Sequence, residues 1–425
     1  MNNQRLELVA DFYEYTMANG YFNKNMQDRI AYFDVFFRKV PDEGGYAIVA
    51  GLEQIINYIR NVSFDEEDIS YLRKQNKFSE EFLSYLENFR FTGDIWAIPE
   101  GTVVFPNEPL ITVKAPIIQA QLLETMLLLT TNHQSLIATK TSRIVKEAQG
   151  RPVMEFGARR AHGINAAVEG ARAAIIGGAV GTSCTLSAKE FNVPASGTMA
   201  HSWIQSFESE YEAFKAYAEL YPEDCTFLID TYNTIESGLP NAIKVFNEVL
   251  KPKGYRPKAV RLDSGDLAYL SKKVRKILDE AGYEDCKICA TNSLDEYLIK
   301  SLIEQDAKID LFGVGENLIT AKSEPVFGGV YKLVALEKDK KIVPKIKVSE
   351  NTAKVTNPSF KKVYRFYDNE TKKAIADVIT LADEIIDERE YMIFDPQNPW
   401  KKKVLKDYSI RLLQEKIFEE RKINI

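Results

Sequence analysis

Charged side chains follow several short apolar runs in the middle of the chain, and their types suit a substrate with both anionic and hydroxyl groups. In AVRLDSGDL, Arg261 and Asp263 are two residues apart, so a β-strand would place both side chains on one face. Asp230 occupies the corresponding position in LIDTYNT, and His201 follows the apolar run in GTMAHSW. Each residue also has an ordinary structural explanation, because Asp263 could begin the next helix and His201 could be a hydrogen-bonded rim residue. Together, a cation, two acids and a histidine predict a polar site at one edge of a sheet.

Two glycine-rich stretches could bind phosphate through their backbone amides. Gly313 and Gly315 lie in FGVGEN, and Gly177, Gly178 and Gly181 lie in IIGGAVGTS. Amides between a strand and a helix can approach a phosphate closely, although a tight turn alone would also explain glycine. Neither spacing is that of a dinucleotide-binding motif or a P-loop. With the nearby acids, these loops indicate a phosphorylated sugar and Mg²⁺, which carboxylates and phosphates commonly share.

The elements that must position these residues read as a parallel α/β sheet. From about residue 150 onward, seven apolar runs are each followed by a helix-like stretch. The runs are PVMEFGARR, AAIIGGAVGTS, VPASGTMAH, TFLIDTYNT, AVRLDSGDL, KICATNSL and DLFGVGEN. Nearly every run ends in polar residues or glycine, rather than one or two at a switch point, so we expect a closed or nearly closed barrel. An eighth unit would be missing or irregular.

Both ends of the chain have the pattern of antiparallel β structure. IAYFDVFF and DIWAIPEGTVVFPNEPLITV predict strands near the start, and two hairpins are predicted after Pro325. Between the first strands and the barrel, QAQLLETMLLLTTNHQSLIATKTSRIVKEAQ predicts one long or broken helix. We therefore expect an α+β domain over residues 1–139, an α/β barrel over 140–325, and a segment over 326–425 that packs on the first domain.

Composition excludes several classes of protein. The chain has 425 residues, 45% hydrophobic content and a formal net charge of −6, which suits two domains and not nucleic-acid binding. The start lacks a signal-peptide pattern, and no apolar run is long enough to span a bilayer. Four cysteines are too few for a disulfide framework.

The CxxC pair Cys286 and Cys289 has no second pair to complete a zinc site, so a structural role is favoured over metal or redox chemistry. We expect a cytoplasmic protein with no membrane partner.

The order of several longer motifs resembles the nicotinate phosphoribosyltransferase family. The motifs include DFYEYTMANGYF, FFRKVP, GGYAIVAGLE, EFGARRAHG, GTMAHSW, VRLDSGDL and FGVGENL, and the resemblance covers about residues 10 to 335. It implies the irregular barrel of the type II phosphoribosyltransferases beside an α+β domain formed by both chain ends. It also implies a ligase of NAD synthesis that joins nicotinate to phosphoribosyl pyrophosphate, releases pyrophosphate and couples the transfer to ATP hydrolysis.

The resemblance further implies roles for individual residues. His201 would be the phosphorylated histidine, Asp263 would bind the ribose hydroxyls, and Asp230 would support the Mg²⁺–pyrophosphate region. The other implied contacts are Arg261 with the nicotinate carboxylate, Gly313 and Gly315 with the 5′-phosphate, Tyr13 and Phe156 with the pyridine ring, and Arg38, Arg159 and Lys140 with phosphate or pyrophosphate. Tyr13 would come from the neighbouring subunit of a homodimer with shared active sites.

Two departures from the family pattern bear on substrate choice. Relatives often carry Asp where this chain has Val180, and an acidic residue where it has Asn292. An apolar Val180 would favour a carboxylate substrate over an amide, whereas Asn292 leaves one ribose contact open. The alternatives are a nicotinamide- or quinolinate-using phosphoribosyltransferase and a catalytically silent nucleotide-sensing relative. A barrel lyase or aldolase is a weaker alternative, because none of the seven apolar runs ends in a lysine that could act as the catalytic residue.

Overall fold

The computed structural model describes residues 6–350, 355–387, 389–396, 398–419 and 422–423. These residues separate into two compact units. The first unit is Met1–Ser135 with Val326–Ile425, and the second is Leu136–Pro325.

The described N-terminal part of the first unit contains short strands and four α-helices. Its elements are α1 (Phe12–Asn23), β1 (Ile30–Phe37), β2 (Ala47–Ile48), α2 (Leu52–Asn61), α3 (Glu66–Lys74), α4 (Glu80–Glu87), β3 (Asp94–Ala97), β4 (Val103–Val104) and β5 (Ile111–Pro116). Helix α2 buries Ile55, Ile56 and Ile59 at the spacing of one helix face. Asp65 begins α3 by accepting hydrogen bonds from the amides of Glu67 and Asp68.

The helical stretch between the two units is broken, in agreement with the prediction of one long or broken helix. It consists of α5 (Ile117–Gln121) and α6 (Glu124–Glu147). The break lies at Leu122 and Leu123, both of which are buried. The boundary between the units falls inside α6.

The second unit alternates strands with helices along its whole length. Its elements are β6 (Val153–Glu155), α7 (Ile164–Ile176), β7 (Gly181–Thr182), α8 (Thr185–Phe191), α9 (His201–Gln205), α10 (Glu210–Leu220), β8 (Thr226–Leu228), α11 (Leu239–Val245), β9 (Ala259–Leu262), α12 (Leu267–Glu280), β10 (Lys287–Ala290), α13 (Glu296–Glu304), β11 (Leu311–Val314) and α14 (Glu316–Ile319). Two π-helical turns, Thr234–Gly238 and Phe246–Leu250, flank α11.

These six strands form one parallel sheet, which confirms the predicted fold class. The order is β7-β6-β11-β10-β9-β8, and every ladder in it is parallel. The sheet is curled into part of a barrel. Among the described residues no ladder joins its two edges, so the barrel is open on one side rather than closed or nearly closed.

Two of the seven predicted strands differ from the prediction. In AAIIGGAVGTS, the AAII run belongs to helix α7, where Val168, Ala171 and Ala174 are buried at helical spacing. In VPASGTMAH, only Ala195 pairs, through a single bridge to Thr182. His201 consequently begins the short helix α9 instead of ending a strand.

The C-terminal part returns to the first unit as predicted. Its strands are β12 (Gly329–Lys338), β13 (Lys341–Pro344), β14 (Lys361–Asp368), β15 (Ala374–Leu381), β16 (Glu390–Asp395), β17 (Asn398–Lys406), β18 (Tyr408–Leu412), β19 (Glu415–Glu419) and β20 (Lys422–Ile423). An antiparallel sheet of order β13-β12-β1-β5-β3-β19-β20 combines strands from both chain ends. The rings of Phe33 and Tyr331 stack across it at 4.7 Å. No helix in the described ranges is long and apolar enough to cross a membrane.

Candidate functional site

The carboxyl ends of three neighbouring strands bring polar side chains to one place in the second unit. Arg261 of β9 pairs with Leu228 of β8 on one side and with Cys289 of β10 on the other. This level register places Asp230, Asp263 and Thr291 beside one another, because each follows its strand by a similar number of residues. The strand-end positions singled out in the sequence therefore meet in space.

Arg261 is the centre of the hydrogen-bond network at this edge. Its Nε donates to Thr291 Oγ1 at 3.0 Å, and its Nη2 donates to Asp263 Oδ1 at 2.9 Å. Its Nη1 donates to Thr198 Oγ1 at 3.1 Å and to the carbonyl of Met199 at 3.4 Å. Only 16% of the Arg261 side chain is exposed. The guanidinium is thus held in a defined orientation, with its charge partly balanced by Asp263.

Asp263 links this network to the histidine. Its Oδ2 lies 3.6 Å from Nε2 of His201, whose Nδ1 lies 3.1 Å from Thr231 Oγ1. Burial opposes ionisation of Asp263, but the hydrogen bond from Thr291 and the charge of Arg261 outweigh it and hold the pKa of Asp263 below its ordinary value. Asp263 is therefore an anion at neutral pH, suited to accept hydrogen bonds from hydroxyl groups.

Asp230 has one engaged and one unengaged carboxylate oxygen. Its Oδ2 accepts hydrogen bonds from the Asp263 amide, at 2.9 Å, and from the Ser264 hydroxyl. Its Oδ1 is buried and has no hydrogen-bond partner among the described residues. A buried carboxylate oxygen in this state is costly unless a cation or a donor satisfies it.

These residues fit Mg²⁺ shared with a substrate, although not a metal site made by protein alone. Within the described ranges, no group of three or more His, Cys, Asp or Glu side chains could hold a metal ion. Mg²⁺ usually takes one or two carboxylates, with phosphate oxygens and water completing its shell. The unengaged oxygen of Asp230 is the donor that such a site would use.

Phe156 and Gly313 fit together at the next pair of strands. A Cβ on Gly313 would lie 2.5 Å from Cδ2 of Phe156 and 2.8 Å from Cγ2 of Thr291. The Phe156 amide donates to the carbonyl of Val314 at 2.7 Å, which fixes the backbone beneath the ring. Gly313 is thus explained by close packing against an aromatic ring, whereas its predicted phosphate contact stays a prediction. Gly315 follows β11 and is the N-cap residue of α14.

The buried Glu155 shapes the turn that carries Phe156. Its carboxylate accepts hydrogen bonds from the Gly157 amide and, at 2.6 Å, from the Thr182 hydroxyl. Burial raises the pKa of Glu155. The acid links the turn after β6 to the Thr182 side chain of the neighbouring strand β7, a role that the sequence did not indicate.

Arg159, Asn292 and Lys140 lie in different surroundings from this cluster. Arg159 is exposed in the turn after β6, and Asn292 is exposed in a left-handed conformation, φ 82°, after β10. Lys140 is 2% exposed, and its Nζ donates to Glu296 at 2.8 Å and to Ser323 at 2.7 Å. This buried ion pair opposes the predicted phosphate contact of Lys140, because the ammonium would have to leave Glu296.

Two further candidates, Tyr13 and Arg38, belong to the first unit. Tyr13 is 44% exposed on α1, and burial together with Glu124 raises its pKa. Nε of Arg38 is buried without a hydrogen-bond partner in the described part of the chain. Burial lowers the pKa of Lys332, and the charges of Arg38 and Lys347 add to the shift, against the opposing effect of Glu124. Cations gathered in this way would be stabilised by a bound anion.

The sequence reasoning missed the hydroxyl residues of the site. Thr291 bridges Arg261 and Asp263, and Thr198 and Thr231 contact Arg261 and His201. Thr291 could have been found from its place at the end of the KICAT run, on the same face as Cys289. Thr198 carries no comparable signal, because its neighbours form no regular strand.

The two cysteines of the CxxC pair are buried free thiols. Burial raises the pKa values of Cys286 and Cys289 to about 12. Neither thiol is suited to nucleophilic or redox chemistry at neutral pH.

Val180, which the sequence analysis relates to substrate choice, is 50% exposed just before β7.

Comparison with known proteins matches almost the whole chain. Three family models match: the nicotinate phosphoribosyltransferase N-terminal domain at residues 8–132, the nicotinate phosphoribosyltransferase family at 152–380, and the C-terminal domain at 360–424. Nicotinate phosphoribosyltransferase of Bacillus subtilis is 46% identical over 98% of this chain and 84% of its own length. A nicotinate phosphoribosyltransferase of Mycobacterium tuberculosis is 46% identical over 84% of this chain and 75% of its own.

Solved structures share the fold. Human nicotinic acid phosphoribosyltransferase superposes with a TM-score of 0.86 at 26% identity, covering 97% of this chain and 89% of that one. A nicotinate-nucleotide pyrophosphorylase from Pyrococcus furiosus superposes with a TM-score of 0.75 at 24% identity, covering 100% and 92%. The second similarity concerns the fold alone.

Proposed function

The chain belongs to the nicotinate phosphoribosyltransferase family, and we propose that it couples ATP hydrolysis to the transfer through a phosphohistidine at His201. As an enzyme of this family, it joins nicotinate to phosphoribosyl pyrophosphate in NAD biosynthesis. The observation that carries the proposal is the contact of Arg261, Asp263 and His201 at the strand ends.

Transfer requires the sugar to part from pyrophosphate while the pyridine nitrogen approaches. The C1 carbon becomes oxocarbenium-like as its bond to pyrophosphate breaks and its bond to the ring nitrogen forms. The ring nitrogen of nicotinate is already a nucleophile, so no general base is needed. The enzyme contributes by holding both substrates in line and by stabilising the leaving pyrophosphate.

The anionic Asp263 is suited to hold the ribose hydroxyls during this step. Its depressed pKa keeps it an acceptor at neutral pH. Asp230 would hold Mg²⁺ through its unengaged Oδ1, and the ion would supply charge neutralisation for pyrophosphate when bound. Gly313, Gly315, Arg159 and the less favourably placed Lys140 remain candidates for phosphate contacts.

Arg261 would select nicotinate over nicotinamide. A guanidinium and a carboxylate form a charge-assisted pair. The neutral amide of nicotinamide interacts more weakly with the guanidinium, so it compensates less of the free energy lost when the cation is partly desolvated. Val180 would reinforce the choice, since it offers no acceptor to an amide. Phe156 would form one wall of the pyridine slot.

Coupling to ATP would use His201 as a temporary phosphoryl acceptor. A ring nitrogen attacks the γ-phosphorus, the bond to the bridging oxygen of ADP breaks, and the proton on the other ring nitrogen passes to water. Water later cleaves the phosphorus–nitrogen bond, returns a proton to the ring and releases phosphate. The contacts with Thr231 and Asp263 would orient the ring for this reaction.

Assembly and location complete the proposal. We propose a homodimer in which Tyr13 of one subunit completes the site of the other, supported by the exposure of Tyr13. Arg38 remains a candidate for a phosphate contact, supported by its buried Nε, which has no hydrogen-bond partner among the described residues. A cytoplasmic location is supported by four free cysteines.

One assay tests the chemistry. The protein is incubated with phosphoribosyl pyrophosphate and Mg²⁺, and nicotinate, nicotinamide or quinolinate is offered with and without ATP. We expect nicotinate mononucleotide, with ADP formed in step with it when ATP is present. Equal product from nicotinamide would contradict the role of Arg261. Product formation in the presence of ATP without release of ADP would contradict ATP coupling.

A further inference from the structure

Most hydrogen-bond donors of Arg261 are already occupied by the protein itself. A guanidinium has five N–H groups, and Arg261 directs four contacts to Thr291, Asp263, Thr198 and the Met199 carbonyl. Bidentate pairing with a carboxylate needs two N–H groups on one side of the fork. Nicotinate can therefore pair with Arg261 in this way only if at least one protein acceptor gives up its contact.

The acceptors bound by Nη1 belong to the segment that leads into His201. This segment, residues 197–200, has no regular structure, and none of its amides donates a hydrogen bond to another described residue. Among the described residues, two hydrogen bonds connect this segment to the sheet. Both are donated by Nη1 of Arg261, one to Thr198 and one to the Met199 carbonyl. His201 begins the helix immediately after it.

We propose that Thr198 is a positioning residue that competes with nicotinate for Arg261 and thereby links the state of His201 to nicotinate affinity. The inference rests on the proposed phosphorylation of His201 and on the proposed pairing of Arg261 with the nicotinate carboxylate. In the unmodified enzyme, Thr198 and the Met199 carbonyl accept hydrogen bonds from Nη1. Nicotinate binds well only after these hydrogen bonds are broken.

Phosphorylation of His201 weakens these hydrogen bonds through electrostatic repulsion. Nε2 of His201 lies 3.6 Å from Oδ2 of Asp263, and a phosphoryl group on the ring brings negative charge toward that carboxylate. Repulsion moves the histidine and the preceding segment away from the sheet, which frees Nη1 of Arg261. The two equilibria are linked. Release of the segment raises the affinity for nicotinate by a certain factor, and bound nicotinate must shift the equilibrium toward the released segment by the same factor.

The test compares full-length enzymes that differ in the hydroxyl at residue 198. Thr198→Val keeps the shape and removes the acceptor, Thr198→Ser keeps the acceptor, and Ser196→Ala removes a nearby hydroxyl that contacts Met154 instead of Arg261. KM for nicotinate and kcat are measured with and without ATP, together with KM for phosphoribosyl pyrophosphate. Binding of nicotinate to the unphosphorylated enzymes is measured by calorimetry.

We expect Thr198→Val to lower KM and Kd for nicotinate without ATP by roughly three- to tenfold, the effect of one competing hydrogen bond. ATP should then lower KM less than in the wild type, while Thr198→Ser and Ser196→Ala keep the wild-type ratio. If Thr198→Val unfolds at a lower temperature, Thr198→Ala repeats the measurement.

Two results overturn the inference in different ways. If ATP lowers the wild-type KM for nicotinate but neither Thr198→Val nor Thr198→Ala changes that ratio, the competition is wrong and the proposed ATP coupling stands. If the wild-type enzyme, supplied with ATP, transfers phosphoribosyl groups without forming ADP or phosphoenzyme, the coupling and this inference fail together.

Discussion

Replacing Gly313 with alanine should displace Phe156, the proposed wall of the pyridine slot, without removing any backbone hydrogen-bond donor. The new Cβ would lie 2.5 and 2.7 Å from Cδ2 and Cε2 of Phe156, and 2.8 Å from Cγ2 of Thr291. Carbon atoms pack at about 3.5–4.0 Å, so the ring must move by about 1 Å. The Phe156 backbone is held by its hydrogen bond to Val314, so the side chain must rotate away from its present position.

Two magnitudes follow from this displacement. Overpacking of this kind costs about 1–3 kcal/mol of folding free energy, which denaturant unfolding can measure. A misplacement of about 1 Å near the reacting groups can cost about a hundredfold in rate. We therefore expect kcat/KM for nicotinate to fall by roughly ten- to a hundredfold, with a much smaller change in KM for phosphoribosyl pyrophosphate.

The control variants separate packing from other effects. Gly45→Ala should be nearly neutral, because no atom lies within 4 Å of a Cβ at that position. Adding Phe156→Leu to Gly313→Ala should restore part of the folding free energy, since the smaller side chain relieves the overlap. The double variant is not expected to regain activity, because the aromatic wall is lost.

The opposite kinetic result would refute this reasoning. If Gly313→Ala raised KM for phosphoribosyl pyrophosphate and left nicotinate unaffected, Gly313 would act at the phosphate, as the family resemblance implies. If Gly313→Ala left the free energy of unfolding unchanged, and adding Phe156→Leu had no further effect on it, the close approach of the ring would not be the reason for glycine at this position.

Four other predictions concern the remaining groups. His201→Ala should abolish phosphoenzyme and ATP stimulation but leave slow ATP-independent transfer, which labelled ATP can test; acid-labile phosphoprotein in the variant would assign phosphorylation elsewhere. Asp263→Ala should weaken phosphoribosyl pyrophosphate binding by about 1.5–3 kcal/mol and nicotinate binding much less, as separate titrations would show; equal losses would indicate general damage. Mixed Tyr13→Ala and Asp263→Ala subunits should regain activity if Tyr13 acts across a dimer, and verified heterodimers without activity would exclude this. Burial, with a hydrogen bond to Asp377, raises the pKa of Glu108 to about 9 from an ordinary 4.5. Between these two pH values the folded state holds a proton that the unfolded state has lost. The free energy of unfolding should therefore fall as pH rises from about 4.5 to about 9. Glu108→Gln should flatten that part of a urea-unfolding pH profile, and an unchanged slope would contradict the assignment.

The sequence by itself determined the elements that follow local patterns. Alternation predicted that Arg261 and Asp263 share a face, and their side chains are hydrogen-bonded. Apolar runs that end in polar residues predicted the strands β8 to β11, and alternating aromatic segments predicted that both chain ends form one β-rich unit. These features depend on neighbouring residues, whose periodicity the sequence displays directly.

Helix and strand were confused where small apolar residues suited both. The AAII run was predicted to begin a strand, but it completes α7, which buries Val168, Ala171 and Ala174 at helical spacing. The run before His201 was predicted to be a strand and forms only one bridge, at Ala195. A short apolar run has no period of its own, so its partners decide its conformation.

Only the tertiary structure decided which distant residues meet. The contact of His201 with Asp263 depends on the order and register of strands, which local periodicity does not encode. Lys140 is ion-paired with Glu296, 156 residues away in the chain, and buried by that contact. Gly313 is small because the ring of Phe156 occupies the space of its missing side chain. Burial and electrostatic partners arise from packing between elements, and they determine whether a charged or small residue binds a ligand or supports the fold.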